Sequence, residues 1–298
     1  MAARFSSYDA IIAALTDDGK GQEANFNKIT AAALAAGAVS SSWAYTGAPG
    51  AGTWAGAGGA VGGSATLVHC NSSTSGAIPL SSPTSASGTN PFLTALGAYA
   101  SSAAQGTLIL IDRLADTGAL SGSAGTISIT MPTGSAWSRY ASGVGVQAFV
   151  ESLGSAPATA ATIQLSQYTN TASSSGRASG STPTTTGTYR AFGGTSAQPN
   201  STPFMSLQTG DLGIKSIEQV TVSVAAASNI ALVVCKPLAS IPLGAAYQYL
   251  ERDLVLQSPK MPRLDVTSGD QTACLQFLIV GGAAVQPIIV GTINLVVG

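Results

Sequence analysis

The sequence predicts an all-β protein: a jelly-roll-like antiparallel β-sandwich preceded by an N-terminal helical arm. Three observations predict it. Short segments alternate apolar and polar residues with period two over the C-terminal two thirds, as in TISITM (126–131) and TIQLSQY (162–168). Gly, Ser, Thr and Pro punctuate the chain between those segments. No helical pattern alternates with the strands, which disfavours a doubly wound α/β fold.

The elements follow in order. Ser7 or Asp9 caps a helix containing Ile11, Ile12 and Leu15. TDDGKG (16–21) interrupts it. Residues 22–36 carry Phe26, Ile29, Ala33 and Leu34 at helical spacing, and Gly37 is the stop. Residues 1–37 therefore read as an amphipathic helical arm, packed on the body or docked on a partner subunit. Residues 38–104 form a Gly/Ser-rich small β or extended region. Within it, the low-complexity run at 46–64 holds one aromatic anchor, Trp54, and 71–91 is turn-rich. Residues 105–298 form the sandwich domain, with nine strand candidates: 108–112, 126–131, 143–151, 162–168, 217–224, 229–236, 247–256, 274–281 and 285–297. A long Ser/Thr/Gly insert at 169–201 carries Tyr189 and Phe192. Loops of that length usually extend over a partner or serve function.

Composition limits function. Charged residues are 8% of the 298, against roughly 25% in an average soluble domain. Mean hydropathy is +0.32 and net charge −1, so disorder is rejected outside local loops. No lysine occurs between Lys28 and Lys215, and the arginines in that span are Arg113, Arg139, Arg177 and Arg190. No basic patch exists to bind nucleic acid. No apolar run reaches the ~18 residues of a membrane span, and no apolar leader follows Met1. A surface this poor in charge suits burial against neighbouring subunits.

Catalytic chemistry finds little material, and the expectation is that the chain is not an enzyme. His69 is the only histidine, and a triad or a zinc site requires more partners than the sequence places near it. Asp112 and Asp116 flank Arg113, and Glu251 and Asp253 flank Arg252. Both sets read as surface or interface ion pairs. Cys70, Cys235 and Cys274 read as small buried apolar residues, with no disulfide framework. No catalytic residue, cofactor or metal ligand is assigned. The candidate interface residues are Phe26, Ile29, Trp43, Trp54, Trp137, Tyr189 and Phe192, because aromatics dominate interface energetics. Core packing is the competing reading for each Trp.

The stretches LILIDRLADTGALSG (108–122), SRYASGVGVQAFVE (138–151), SQYTNTASSSGRAS (166–179) and LQFLIVGGAAVQPIIVGTINLV (275–296) resemble structural proteins of tailed bacteriophages, in particular head decoration or cement proteins. The resemblance spans about residues 105–298 and lies in sequence style rather than in a motif. It implies a virion location and a homo-oligomer, with a trimer or other ring expected. It implies a major capsid protein or other virion proteins as partners, while the charge balance and the short apolar runs argue against nucleic acid and membrane. The alternative is a tail, collar or fibre component that binds a receptor or carbohydrate.

Overall fold

In the computed structural model, the described residues are 7–16, 20–30, 34–80, 91–132, 137, 139–152, 162–180, 182–183, 203–223, 229–257, 261–264, 273–283 and 287–297. The described chain is almost wholly β. One short helix, α1 (Tyr8–Leu15), opens it. The strands are β1 (Gly21–Ile29), β2 (Leu34–Ser41), β3 (Thr46–Ala48), β4 (Ser64–Thr66), β5 (Val68–His69), β6 (Pro91–Ala100), β7 (Ala104–Asp116), β8 (Gly125–Thr130), β9 (Gln147–Ser152), β10 (Thr162–Asn170), β11 (Thr182–Pro183), β12 (Ile214–Val222), β13 (Ile230–Leu243), β14 (Leu250–Asp253), β15 (Leu275–Ala283) and β16 (Ile288–Val297). Each of the nine strand candidates overlaps one of these.

Three sheets result. Sheet I has the order β14-β6-β16-β1-β3, sheet II β2-β15-β7-β13-β9 with β5 added along β7, and sheet III β11-β10-β12-β8-β4. All pairings between strands are antiparallel except β4 with β8. Sheet II is the shared layer. Leu108 and Leu110 of β7 and Ile241 and Leu243 of β13 pack with Phe26, Leu96 and Ile293 of sheet I. Farther along the same two strands, Leu114, Ala115, Leu232 and Val234 pack with Ile127, Leu165 and Val220 of sheet III. Strands of 13 and 14 residues are long enough to serve both cores. Ile111, Val233, Cys235, Leu278 and Val39 form a third cluster with Phe149 on the opposite face of sheet II.

The N-terminal arm is not the helix expected over 22–36. Ser7 does cap α1, accepting from the Ala10 N–H, but the helix ends at Leu15. From Gly21 the chain is strand. Ala24, Phe26 and Lys28 point inward while Glu23, Asn25, Asn27 and Ile29 point out, a period of two rather than 3.6. The helical spacing of Phe26 and Ile29 was the weaker of two periodicities in one string. Two asparagines, poor helix formers, and nine paired positions along β16 decide the outcome. Residues before 105 are also built into the body: β1 and β6 flank β16, and β2 pairs with β15.

Candidate functional site

Among the described residues, polar chemistry gathers in a buried ionic hub on sheet II, on the outer face of sheet I and in a smaller cluster around Asp211.

The hub centres on Arg113, whose side chain is fully buried. Its guanidinium contacts Asp116 Oδ2 at 3.0 and 3.2 Å, both Glu151 oxygens at 3.0 and 3.1 Å, and Gln276 Oε1 at 3.1 Å. It lies 4.2 Å over the Trp43 ring. Glu151 also accepts from Ser41 Oγ and from Trp54 Nε1, the latter at 2.8 Å. Asp116 Oδ1 accepts the Gly56 and Gly118 N–H groups, each at 3.0 Å. Burial alone would lower the Arg113 pKa. The carboxylates of Glu151 and Asp116 outweigh that and raise it. A permanently charged, fully hydrogen-bonded group of this kind is an anchor, not an acid or base. Gly52 is required beside it, since a Cβ there would lie 2.5 Å from the Trp43 ring.

Asp112, Arg113 and Asp116, expected as surface or interface ion pairs, are instead interior to the chain. A second buried pair, Arg139 with Asp112, lies on the other side of the same strand. Asp112 and Asp116 are four residues apart, which in a regular strand means one face. The register of β7 against β13 shifts between Arg113 and Ala115, so Leu114 is a bulge and the two aspartates part company. In the set of Glu251 and Asp253 flanking Arg252, Arg252 donates to Ser240 O while Glu251 is exposed.

The outer face of sheet I follows directly from register. Glu251 stands opposite Gly97, Gly97 opposite Thr292, and Thr292 opposite Asn25, forming one row across four strands. The next row is Asp253, Ala95, Asn294 and Glu23. On the other side lies Tyr99, Val290 and Asn27, followed by Ile288 and Ile29. Tyr247 is 70% exposed and its ring centroid is 6.2 Å from that of Tyr99. Tyr249 lies across Gly97, where a Cβ would fall 1.9 Å from its hydroxyl, and bonds Thr292 Oγ1 at 2.8 Å. The face thus offers three tyrosines, amides, a hydroxyl and carboxylates. None of the residues in these rows is basic. Glu251 also borders an open groove of about 410 Å³ lined by Thr107, Ser240, Leu250, Arg252 and Gln257.

The predicted interface residues distribute differently. Phe26, Trp43 and Trp137 are buried within the chain and offer no surface to a partner. Phe26 stacks on Phe277 at 5.0 Å, and Trp137 Nε1 donates to Ile214 O at 2.8 Å. For both tryptophans the core reading holds, because their ring N–H groups find internal carbonyls, Trp43 using Thr53 O. Trp54 is half-buried on the hub, and Ile29 is 36% exposed at the rim of the sheet I face. Tyr189 and Phe192 lie outside the described residues. Tyr99, Tyr247 and Tyr249 were missed. The spacing of YQY (247–249) was the only signal for Tyr247 and Tyr249, and it does not reveal that Gly97 makes room for one of the rings.

His69 is half-buried, and burial followed by the nearby Arg139 charge lowers its pKa. Among the described residues, no group of three or more His, Cys, Asp or Glu side chains is placed to hold a metal ion. No helix among them is long and apolar enough to cross a membrane.

No protein-family model matches the chain, and neither the curated proteins nor the solved structures contain a significant match to it.

Proposed function

We propose that this chain is a structural subunit of a phage virion, of the decoration, cement or minor capsid type, and that it associates through the outer face of sheet I. The observation that carries the reading is where the charge sits. Of 12 basic and 13 acidic residues, Lys28, Arg113, Arg139, Asp112, Asp116 and Glu151 are in the interior. The surface is therefore even poorer in charge than the composition suggests. Covering uncharged surface costs little desolvation, whereas each buried unpaired charge would cost several kcal/mol, so Glu23, Glu251 and Asp253 on this face call for donors or a cation from the neighbour. Tyrosine, asparagine and threonine on this face supply contact area and hydrogen bonds to a repeated partner. Copies arrayed on a lattice add avidity to modest single contacts.

The test is the association state of the purified chain, with Thr292→Arg as the probe. The wild type should sediment as an oligomer or bind particles lacking it. The variant should keep its circular dichroism spectrum and lose association. A wild type that stays monomeric and ignores particles sinks the reading.

A second reading, a tail or fibre component that binds carbohydrate, is favoured by the Tyr99–Tyr247 pair and Tyr249 beside Glu251 and the groove. Aromatic faces flanked by amides and carboxylates suit sugar rings. Under this reading a glycan array gives a hit that Tyr247→Ala abolishes, with association unchanged.

A further inference from the structure

The two cysteines flanking the hub occupy an unusual position. β5 and β15 both run antiparallel to β7 on the same edge. Val68 pairs with Asp116 and His69 with Ala115. Leu275 pairs with Asp112, and the strand continues to Gln276 opposite Ile111. β5 therefore stops where β15 begins, and the two lie end to end along one neighbour. Cys70 is the next residue after β5, and Cys274 the last before β15. Both are pinned to the intervening turn of β7: the Cys70 N–H donates to Leu114 O at 2.9 Å, and the Arg113 N–H donates to Cys274 O at 2.8 Å. The Cys274 N–H in turn donates to Asp112 Oδ1 at 2.9 Å. The two residues thus meet at the junction of β5 and β15, beside the Leu114 bulge of β7. Both are buried in one cluster with Trp43 and Ala77. Their thiols interact directly, the largest influence on Cys70.

We propose that Cys70 and Cys274 are a cross-linking site: in an oxidising environment they join as a disulfide that closes the gap between β5 and β15. Hydrogen bonds to the adjacent residues Leu114 and Arg113 hold the two cysteine backbones side by side, the condition a disulfide sets on its partners. The co-reactant is a low-molecular-weight disulfide. One cysteine, as thiolate, attacks it, forming a mixed disulfide and releasing one thiol. The second cysteine then displaces the other thiol. The protein loses two protons and two electrons, and the small disulfide is reduced to two thiols. The link spans distant parts of the chain, where a cross-link restricts the unfolded state most. It also fixes the segment carrying Cys70 and Ala77 over Trp43 and the Arg113 hub. Both thiols are buried, so exchange takes place during folding or local opening, and the closed protein keeps whichever state it folded in.

Cys235 is a built-in control. It is equally buried but belongs to the cluster of Ile111, Phe149 and Leu278, and burial raises its pKa. The experiment refolds the full chain from denaturant in oxidised and reduced glutathione, traps free thiols with iodoacetamide, and maps peptides without reduction. Expected are one cross-linked peptide joining Cys70 to Cys274, alkylated Cys235, and a Tm several degrees above the dithiothreitol-treated protein. Cys70→Ala and Cys274→Ala should each abolish the cross-link and the Tm difference. Three alkylated cysteines after refolding in excess oxidised glutathione, a link involving Cys235, or a lower Tm in the linked form would each overturn the proposal. The peptide map of the wild type decides the question even if a variant fails to fold.

Discussion

Arg139 and Asp112 face each other in a bidentate pair, Nε to Oδ2 at 3.0 Å and an Nη to Oδ1 at 2.8 Å, with both side chains sealed from solvent. Asp112 sits on β7 between the stretch that serves the sheet I core and the stretch that serves the sheet III core. The pair also ties in backbone, through Arg113 O and the Cys274 N–H. Removing one partner strands a buried charge. Arg139→Met should lower unfolding free energy by about 3–5 kcal/mol, read as a shift of the urea midpoint. Asp112→Asn keeps an acceptor for the Cys274 N–H. The double variant should therefore lose clearly less than the sum of the two single losses. Additive losses would mean that the two side chains contribute independently.

Arg113 neutralises two carboxylates at once, so its loss is graver than that of either acid. Arg113→Met leaves Asp116 and Glu151 buried together with no cation between them. It should prevent folding or cost more than Arg139→Met. Glu151→Gln keeps one acceptor oxygen for Ser41 and Arg113 but sets an amide NH2, a donor, against the Trp54 indole N–H and so removes that bond. Its signature should be a shift in tryptophan fluorescence with the circular dichroism spectrum intact. An unchanged emission spectrum would mean that Trp54 is not held by Glu151 in solution.

A third ionic cluster links the turn after β10 to the loop before β12. Asp211 accepts from Arg177 twice, from Asn170 Nδ2 at 2.7 Å and from the Tyr168 hydroxyl at 2.5 Å. The Arg177 hydrogen bond, helped by Tyr168 and Asn170, holds the Asp211 carboxyl down at about 2 against an ordinary 3.8. A depressed carboxylate stabilises the fold above its unfolded pKa, and that contribution fades as pH falls through the folded value. Acid titration should therefore loosen this loop between about pH 4 and pH 2. Hydrogen exchange at residues 171–180 should rise over that range in the wild type. In Asp211→Asn it should already be elevated at neutral pH and respond less to acid.

What the sequence revealed, and what it hid, follow from range of interaction. β8 and β10 were legible because Ile127 with Ile129 and Ile163 with Leu165 alternate against a single core, so local pattern equals burial. β6 was not. Its outward positions are Ala95, Gly97 and Tyr99, none of them charged, and Gly97 lies under the Tyr249 ring, so PFLTALGAYA shows no apolar/polar alternation. β1 was misread because its inward residues include a lysine, Lys28, which no hydrophobicity pattern counts as core. The hub was invisible for another reason. Arg113 meets Glu151 and Gln276 across three strands, and the Leu114 bulge that sends Asp112 and Asp116 to opposite faces is a property of the pairing with β13, not of the letters LADT. The face of sheet I was hidden likewise, since its rows join residues from positions 25, 97, 251 and 292.

Lys28 shows how such a misread residue can be tested. It points inward from β1, fully buried, and donates to Gly50 O at 2.8 Å and Tyr45 O at 3.3 Å. Two carbonyls satisfy hydrogen bonds but do not offset a desolvated charge, and burial lowers its pKa from 10.5 to about 8. The folded state therefore releases the proton more readily than the unfolded chain does. Between about pH 8 and 10.5 the unfolded state binds more protons, so stability rises with pH across that window. Below it the full penalty of the buried ammonium applies, up to about 3 kcal/mol. Lys28→Met has no proton to release. Comparing urea midpoints from about pH 7 to about pH 10 should give a wild type that gains on the variant as pH rises. Because tyrosines and cysteines titrate in both proteins, the difference between the two curves isolates Lys28. Parallel curves would place the ammonium in contact with water or with an acid, and would remove Lys28 from the interior of sheet I.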